Sequence, residues 1–533
     1  MTILALRLGL PQLAALSGNA VSTFSPSMVS FHRDVSLKYA AGSITAAPRG
    51  VMSVWLCSQG NSSVHSAMYD NRSNGLTFGQ FDPAKANAEA NGWNYAMDGG
   101  FSGGLRRLNI NDSTGGTNHS ALATYGPPAV INKKIQHHLW AWDTNYSGTK
   151  RSSLWIDGVQ VATGITDQGT WNGTLTSPSY SGGDGFFLNP FGTGQVRGDF
   201  DCAQFFFDTP SSTPLDASNN ATFDITKFYN AGPVDFGSDG SLPLGHQPII
   251  FHDGDASTFA TNKGSLGNIA TVVGGTNANS KKLFDAPKNP GASADRPYLL
   301  WWDHNVPGSQ PTTAITESSG TYSSFTNDGQ PVVAGDLLVA LIKFSSGSGT
   351  ARLPSITGWT LVPNSRQSLG LGDFAAFYKV VGAGDTGLLA NPGSEWSTGP
   401  TMTWTTKGAL ISASIVFLNY RSDTGTSPAI QDSACSSSSA SPASGFVCPA
   451  VTSGSALSLL VNAVAVFDWA NEGTPSPPAS SRIRHKRGDD AMSGPFPYVV
   501  DEKVNATGTT GTRTFGVSGA TGNPNAMLSF ILQ

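Results

Sequence analysis

Between His137 and Val161 the chain reads HHLWAWDTNYSGTKRSSLWIDGVQV, and the order of apolar and polar positions predicts a strand, a loop, a second strand and a tight turn. Trp140 and Trp142 alternate with small or polar neighbours, the period of a half-buried strand. After the polar loop NYSGTKRS comes a second apolar run, Ser153 to Ile156. It stops at Asp157-Gly158. Such a pair accepts the positive φ angles of a type I′ turn, so Val159-Gln160-Val161 is predicted to fold back as a hairpin. Phe200 to Phe207, with Asp201 and Gln204 among its aromatics, reads as another strand, and Phe223 to Tyr229 as a short helix or turn over one end.

The Trp-rich strand, variable loop and "Leu-Trp-Ile-Asp-Gly" strand together resemble the laminin-G-like or concanavalin-A-like jelly roll, two antiparallel sheets packed face to face. The flanking sequence resembles the version of that module in structural proteins of tailed bacteriophages. Ser22 to Pro26 and Met52 to Leu56 look like its opening strands, and Val234 to Ser241, Pro248 to Phe251 and Thr258 to Gly264 like its closing segment. The likeness covers roughly residues 20 to 275.

The second half repeats itself. Leu337-Leu338-Val339-Ala340, Ile356 to Leu361, Lys379 to Gly387, Thr401 to Trp404 and Ile415 to Phe417 are echoed in order. The echoes are Leu459-Leu460-Val461-Asn462, Ile483, Lys503 to Gly511, Thr512 to Phe515 and Leu528 to Phe530, with the Lys-Val and Thr-Gly anchors 124 residues apart. A period of that size means two related sandwich halves or one pseudo-twofold β domain. It too is similar to modules of phage virion proteins.

Composition agrees with an all-β chain. Gly (62) and Pro (32) are frequent, charged residues make up 13%, and only Glu89, Glu317, Glu395, Glu472 and Glu502 among 36 acidic residues are Glu. Asp favours turns and Glu favours helices. The expected organisation is an N-terminal arm (1–20), a jelly roll (21–280), a linker (281–310) with Leu299-Leu300-Trp301-Trp302 packing at a domain junction, and two β-sandwich repeats (311–430 and 431–533). Met1 to Gly18 is a poor secretory signal, since it lacks a basic start and Arg7 and Pro11 interrupt it. An apolar arm packing on its own domain or on a partner subunit fits better. The final run, Met527 to Leu532, reads as a strand.

A formal charge of -5 gives no attraction for nucleic acid or anionic membrane, and no apolar run is long enough to span a bilayer. Neither is an expected partner. The one basic cluster, Arg482 to Arg487, precedes Asp489 and Asp490 and reads as a solvated strand edge or turn. Cys57 and Cys202 read as small core residues. Cys435 and Cys448 bracket a Ser/Ala/Pro/Gly loop that a disulfide would close in an oxidising medium.

The chemistry expected of an enzyme is scarce. A laminarinase-type glycosidase needs two carboxylates at Glu-x-Asp-x-x-Glu spacing, and the jelly-roll region has one Glu, Glu89. Zinc-protease, paired Cys-x-x-Cys and P-loop motifs do not occur. His137 and His138 are adjacent, so a strand points them to opposite faces and they cannot share one metal. Asp253-Gly254-Asp255 and Asp235 to Asp239 carry the oxygen donors of a calcium site, which some laminin-G-like domains bind, yet acidic turns use the same residues. No other cofactor is expected.

Carbohydrate is the ligand class best matched. Trp93, Tyr95, Tyr146 and Trp171 sit in polar, Gly-rich surroundings typical of loops, where rings either stack on sugar faces or bury themselves under the loop or in a subunit interface. The reading is therefore a non-enzymatic structural component of a tailed phage virion, a tail fibre or tail-tip host-binding protein or a head decoration protein. Its partners would be other virion proteins, copies of itself (a trimer, by family habit) and host surface polysaccharide. A secreted bacterial lectin is one alternative; an atypical glycan-degrading enzyme, with its site near Trp301-Trp302-Asp303-His304, is another.

Overall fold

The computed structural model describes residues 24–31, 35–39, 47, 49–58, 77–81, 92–96, 106–112, 119–125, 134–143, 151–161, 164–168, 185–188, 200–267, 271–274, 282–292, 296–305, 314–317, 333–346, 358–369, 372–385, 402–405, 410–422, 426–438, 445–466, 475–485, 497–516 and 525–533. Strands account for nearly all of its regular structure, and the helical element described is one 3-10 turn, Ile225–Lys227. The N-terminal arm lies outside the described residues.

Two eight-stranded antiparallel sheets make the first half. In spatial order, sheet A is Val159–Gln160, Arg151–Ile156, Gln136–Asp143, Arg49–Ser58, Phe200–Asp208, Val29–Phe31 and Phe284–Asp285, with Ile250–His252 also paired to Phe200–Asp208. Sheet B includes Val35–Tyr39, Gly185–Leu188 and Thr271–Gly274. Between them Leu37, Tyr39 and Leu188 of sheet B meet Val54, Trp140, Phe205 and Phe207 of sheet A in one buried core. This is a β-sandwich of jelly-roll character.

The hairpin falls where the sequence puts it. Asp157 and Gly158 both have positive φ, 51° and 75°, and Val159 pairs with Ile156. The Trp strand, however, is not half-buried. Trp140 and Trp142 face the inter-sheet core, while Leu139 and Ala141 on the other side join Phe206, Phe228, Phe236 and Phe251 in a second core. Asp224 caps the 3-10 turn by accepting from the Thr226 backbone N–H, and the following Phe228 is fully buried on this outer face. Small residues on the strand serve this double burial rather than exposure. At Gly50 a Cβ would come within 2.0 Å of the Trp142 ring, so the strand beside the tryptophans must carry glycine there.

The supposed linker is shared between domains. Phe284–Asp285 closes sheet A, and Tyr298–Asn305 is a full strand of the next sheet, paired with Leu410–Arg421. Its apolar run is therefore an element of a sheet, which local composition rich in Pro, Asn and Asp on either side conceals.

The second half holds two sheets with one plan. Sheet I runs Tyr298–Asn305, Leu410–Arg421, Leu337–Ser346, Gly372–Val380, Thr360–Leu361; sheet II runs Ile430–Ser438, Asn525–Leu532, Ser458–Val466, Tyr498–Val504, Arg482–His485. Each is accompanied by a small two-stranded pair, Ala314–Glu317 with Met402–Thr405 and Phe446–Cys448 with Arg513–Phe515. In both, the strand that comes last in sequence is inserted beside the first.

A single core joins them. Leu337, Val339, Leu341, Val416 and Leu418 of sheet I pack with Leu459, Val461, Ala463, Leu528 and Phe530 of sheet II. Val464, Val500 and Met527 on the other side of sheet II pack with Phe446 and Phe515 of its small pair. Burial on both faces explains why Ser458–Val466 reads SLLVNAVAV, without clean alternation. Polar ties cross between the repeats as well: Lys343 Nζ donates to the Val466 carbonyl, and Ser433 Oγ to that of Pro363 at 2.5 Å.

The 124-residue anchor needs correction in one respect. Lys379 lies opposite Leu338, whose neighbours Leu337 and Val339 face the shared core; Lys503 lies opposite Leu459, which faces that core itself. Opposed residues of an antiparallel pair share a face, so the two lysines sit on opposite sides of their sheets. The repeats match in plan, with a one-residue slip at this strand.

Candidate functional site

Asp201 is an acid in an aromatic-rich strand that is buried throughout, FDCAQFFFD. Such a carboxylate requires a partner. It finds one 281 residues away: Arg482 Nη1 donates to Asp201 Oδ1 at 2.9 Å and to Ser30 Oγ at 2.5 Å, while Ser30 Oγ donates to Asp201 Oδ1 at 2.5 Å. On its own sheet Arg482 Nε donates to Asp501 Oδ1 at 3.2 Å, and Arg484 Nε donates to Asp501 Oδ2. Ser30 and Asp201 are register partners on sheet A, and Arg482 and Asp501 on sheet II. One guanidinium thus bridges the jelly roll and the second repeat.

The basic cluster is therefore no solvated edge at Arg482, whose side chain is 8% exposed. The nearby Asp489 and Asp490 make it look like surface, but its partners come from distant strands. Burial raises the Asp201 and Asp501 carboxyls, with Arg482 pulling each back, and Asp501 is pushed up to about 6. Burial alone would lower the Arg482 guanidinium; the charges of Asp501 and Asp201 more than offset it.

A second arginine works beside it. Arg296 donates to the carbonyls of Ser458 (2.7 Å), Val504 (3.0 Å) and Ala456 (3.2 Å) and to Asn505 Oδ1 (3.0 Å). Burial lowers its pKa to about 10, with Asp285 acting in the opposite direction. Between the Phe284–Asp285 strand and sheet II lies a cleft of about 240 Å³, lined by Asp285, Ser480, Arg482, Glu502 and Lys503 among others. Glu502 is held by Arg513 through two bonds of 2.6 Å.

The residues singled out in sequence fare differently. Trp93 and Tyr95 stand two apart in a strand, Gly92–Ala96, paired with Thr77–Phe81 and Arg106–Asp112, rather than in a loop. Glycine and polar residues on sheet B gave that segment its loop-like composition. Tyr146 and Trp171 lie outside the described residues. Trp301, Trp302, Asp303 and His304 belong to the sheet I strand Tyr298–Asn305.

Cys435 and Cys448 are free thiols, not a bridge. They belong to different sheets, and each Sγ donates at 3.8 Å to a nearby carbonyl, of Ser436 and of Ala463 respectively. Burial pushes Cys435 up to about 12 and raises Cys448, with the neighbouring Cys435 adding to that rise.

The acidic turns cap backbone. Asp235 accepts from the Gly237 N–H at 2.8 Å, Asp239 from Ser241 at 3.0 Å, and Asp255 from Ser257 and Thr258 at 3.0 and 3.1 Å. Asp253 has Lys263 Nζ at 3.7 Å. Among the described residues no group of three His, Cys, Asp or Glu side chains is placed to hold a metal. His137 is a core residue: its Nε2 meets Ser53 Oγ at 2.8 Å, its backbone N–H donates to Asp157 Oδ1 at 2.8 Å, and burial, then the charge of His138, lowers its pKa to about 3.

No protein-family model matches this chain, and no curated protein sequence matches it. Among solved structures it is similar to a native heptameric SAP-like pentraxin from Limulus polyphemus, with 11% identity, 36% of this chain and 80% of that chain covered, and a TM-score of 0.23. A likeness of that size carries no argument about activity.

Proposed function

We propose that the protein is a non-enzymatic structural component of a tailed phage virion, a tail fibre or tail-tip host-binding protein or a head decoration protein. The observation that supports this reading best is the way its sandwiches are joined. Arg482 holds Asp201 and Ser30 of the jelly roll and Asp501 of the second repeat together in a buried network. Arg296 adds four bonds from the connecting segment to the second repeat. Flexible hinges are the default between domains of one chain unless the interface is tightly built. A junction of this kind suits a part that must hold its modules at fixed positions in an assembly.

Host glycan binding, virion partners and self-association as a trimer belong to the same reading. The phage-module resemblance of both halves supports it, and the candidate sugar-stacking residues are Trp93, Tyr95, Tyr146 and Trp171.

Cryo-electron microscopy of purified particles that carry the protein tests it. Density at the tail tip, with Trp93→Ala and Trp171→Ala reducing adsorption to host cells, supports the receptor-binding form; density on the capsid lattice supports the decoration form. Detection of the protein in uninfected cells and never in particles overturns both.

A further inference from the structure

The cleft between the jelly roll and the second repeat has an imbalance of partners. Its carboxylates are taken: Glu502 by Arg513 at 2.6 Å and by Ser480 Oγ at 2.7 Å, Asp501 by Arg482 and Arg484, and Asp285 by the Ala256 backbone N–H at 2.8 Å. Its cations are not matched in the same way. Lys503 forms no ion pair among the described residues. Arg296, beside it, is held by three carbonyls and an amide oxygen, which carry no formal charge. Arg482, whose other two nitrogens are engaged, leaves Nη2 buried with no hydrogen-bond partner.

A buried donor without an acceptor is costly, and a guanidinium and an ammonium group that line one cleft are the donor types that recognise oxyanions. We propose that this cleft is a binding site for one small oxyanion of the carboxylate or phosphate class, with Lys503 and the Nη2 edge of Arg482 as its principal donors. The volume of about 240 Å³ admits such an anion with a few ordered waters, or one acidic sugar unit. Burial and then the neighbouring Arg296 charge lower the Lys503 pKa while Asp285 across the cleft acts against them, and a bound anion would act in the same direction as Asp285. Because the walls come from both domains, the anion would bind only while they are docked. The site is separate from the aromatic residues assigned to host glycan, and does not depend on the virion reading.

The test is calorimetric titration and thermal unfolding of the full chain with inorganic phosphate and, separately, with glucuronate, at constant ionic strength against chloride. One of the two is expected to bind saturably and raise Tm, and the arm that responds identifies the source of the oxyanion. Lys503→Met is expected to weaken that binding about tenfold or more, as loss of a charge-assisted contact does. Lys503→Arg is expected to recover most of it, which a merely structural defect at this position would not allow. Lys282→Met, an exposed control, is expected to bind as the parent does. No saturable response to either anion, or equal binding by the Lys503→Met and parent proteins, overturns the proposal.

Discussion

The jelly roll and the duplicated half differ in the titratable groups they bury. In the jelly roll the buried titratable groups include neutral histidines: His137 against Ser53, and His252 between Tyr39 and the Phe259 carbonyl, its Nδ1 2.7 Å from that oxygen. In the duplicated half they are ion pairs, such as Asp336 with Arg421 through bonds of 2.7 and 2.9 Å, and Asp501 with Arg482. Both are β-sandwiches with aromatic and aliphatic cores. They therefore share an architecture, yet acid acts with one sign on His137 and His252 and with the other on Asp501, and the Arg482 network is where the two solutions meet.

The strongest way to break the comparison is to remove that meeting point. Arg482→Ala takes the bridging cation from buried Asp201 and leaves Asp501 with Arg484 alone, and is expected to cost about 3–5 kcal/mol. Calorimetry should then show two transitions where the parent shows coupled unfolding; a single unshifted transition would refute the bridging role.

Acid sharpens it. The folded-state pKa values of His137 (about 3) and His252 (about 4) lie below the ordinary histidine value, so the folded jelly roll binds fewer protons than the unfolded chain. Its stability is full above about pH 6.5 and falls on acidification, by about 1.4 kcal/mol per pH unit for each histidine. Asp501, raised to about 6, has the reverse sign: between about pH 6 and 4 the folded state holds the extra proton, and its contribution grows as pH falls. Lowering pH from 7 to 5 should move the jelly-roll transition down further than that of the duplicated half. Equal shifts would show that the histidines are not buried neutral.

A smaller effect isolates the jelly-roll core. Gly50→Ala places a methyl group 2.0 Å from the Trp142 ring and is expected to cost about 1–3 kcal/mol, confined to the jelly-roll transition in denaturant melts. Smallest of all is the effect of reductant. With Cys435 and Cys448 free, dithiothreitol should leave the unfolding midpoint of the duplicated half unchanged, and thiol titration of the unfolded chain without reductant should count four cysteines.

What could be read in the sequence was local or repeated. The Asp157-Gly158 turn depends on two residues, the Phe200–Asp208 strand on one apolar run, and the duplication on a recurring order of motifs, so each was visible. What could not be read depended on chain segments far apart. Nothing near Arg482 indicates that its partners are Ser30 and Asp201, although Asp201 amid aromatics was a signal that a cation must come from somewhere. Tyr298–Asn305 looked like linker because the strand it pairs with begins more than a hundred residues later. The Trp strand looked half-exposed because its outer cover, Phe228, Phe236 and Phe251, follows after a long interval. The sugar-site reading of Trp93 and Tyr95 rested on composition alone, and composition does not separate a loop from a polar strand.

The strand order in the duplicated half bears on synthesis. In sheets I and II the last strand made, Leu410–Arg421 or Asn525–Leu532, lies between two earlier strands and pairs with both. Until the ribosome delivers it, its neighbours wait with open backbone edges, the condition under which chains join one another instead. Nascent or prematurely terminated copies are thus the vulnerable species, and a chaperone that covers those edges would matter more to yield than any gain in the stability of the finished fold.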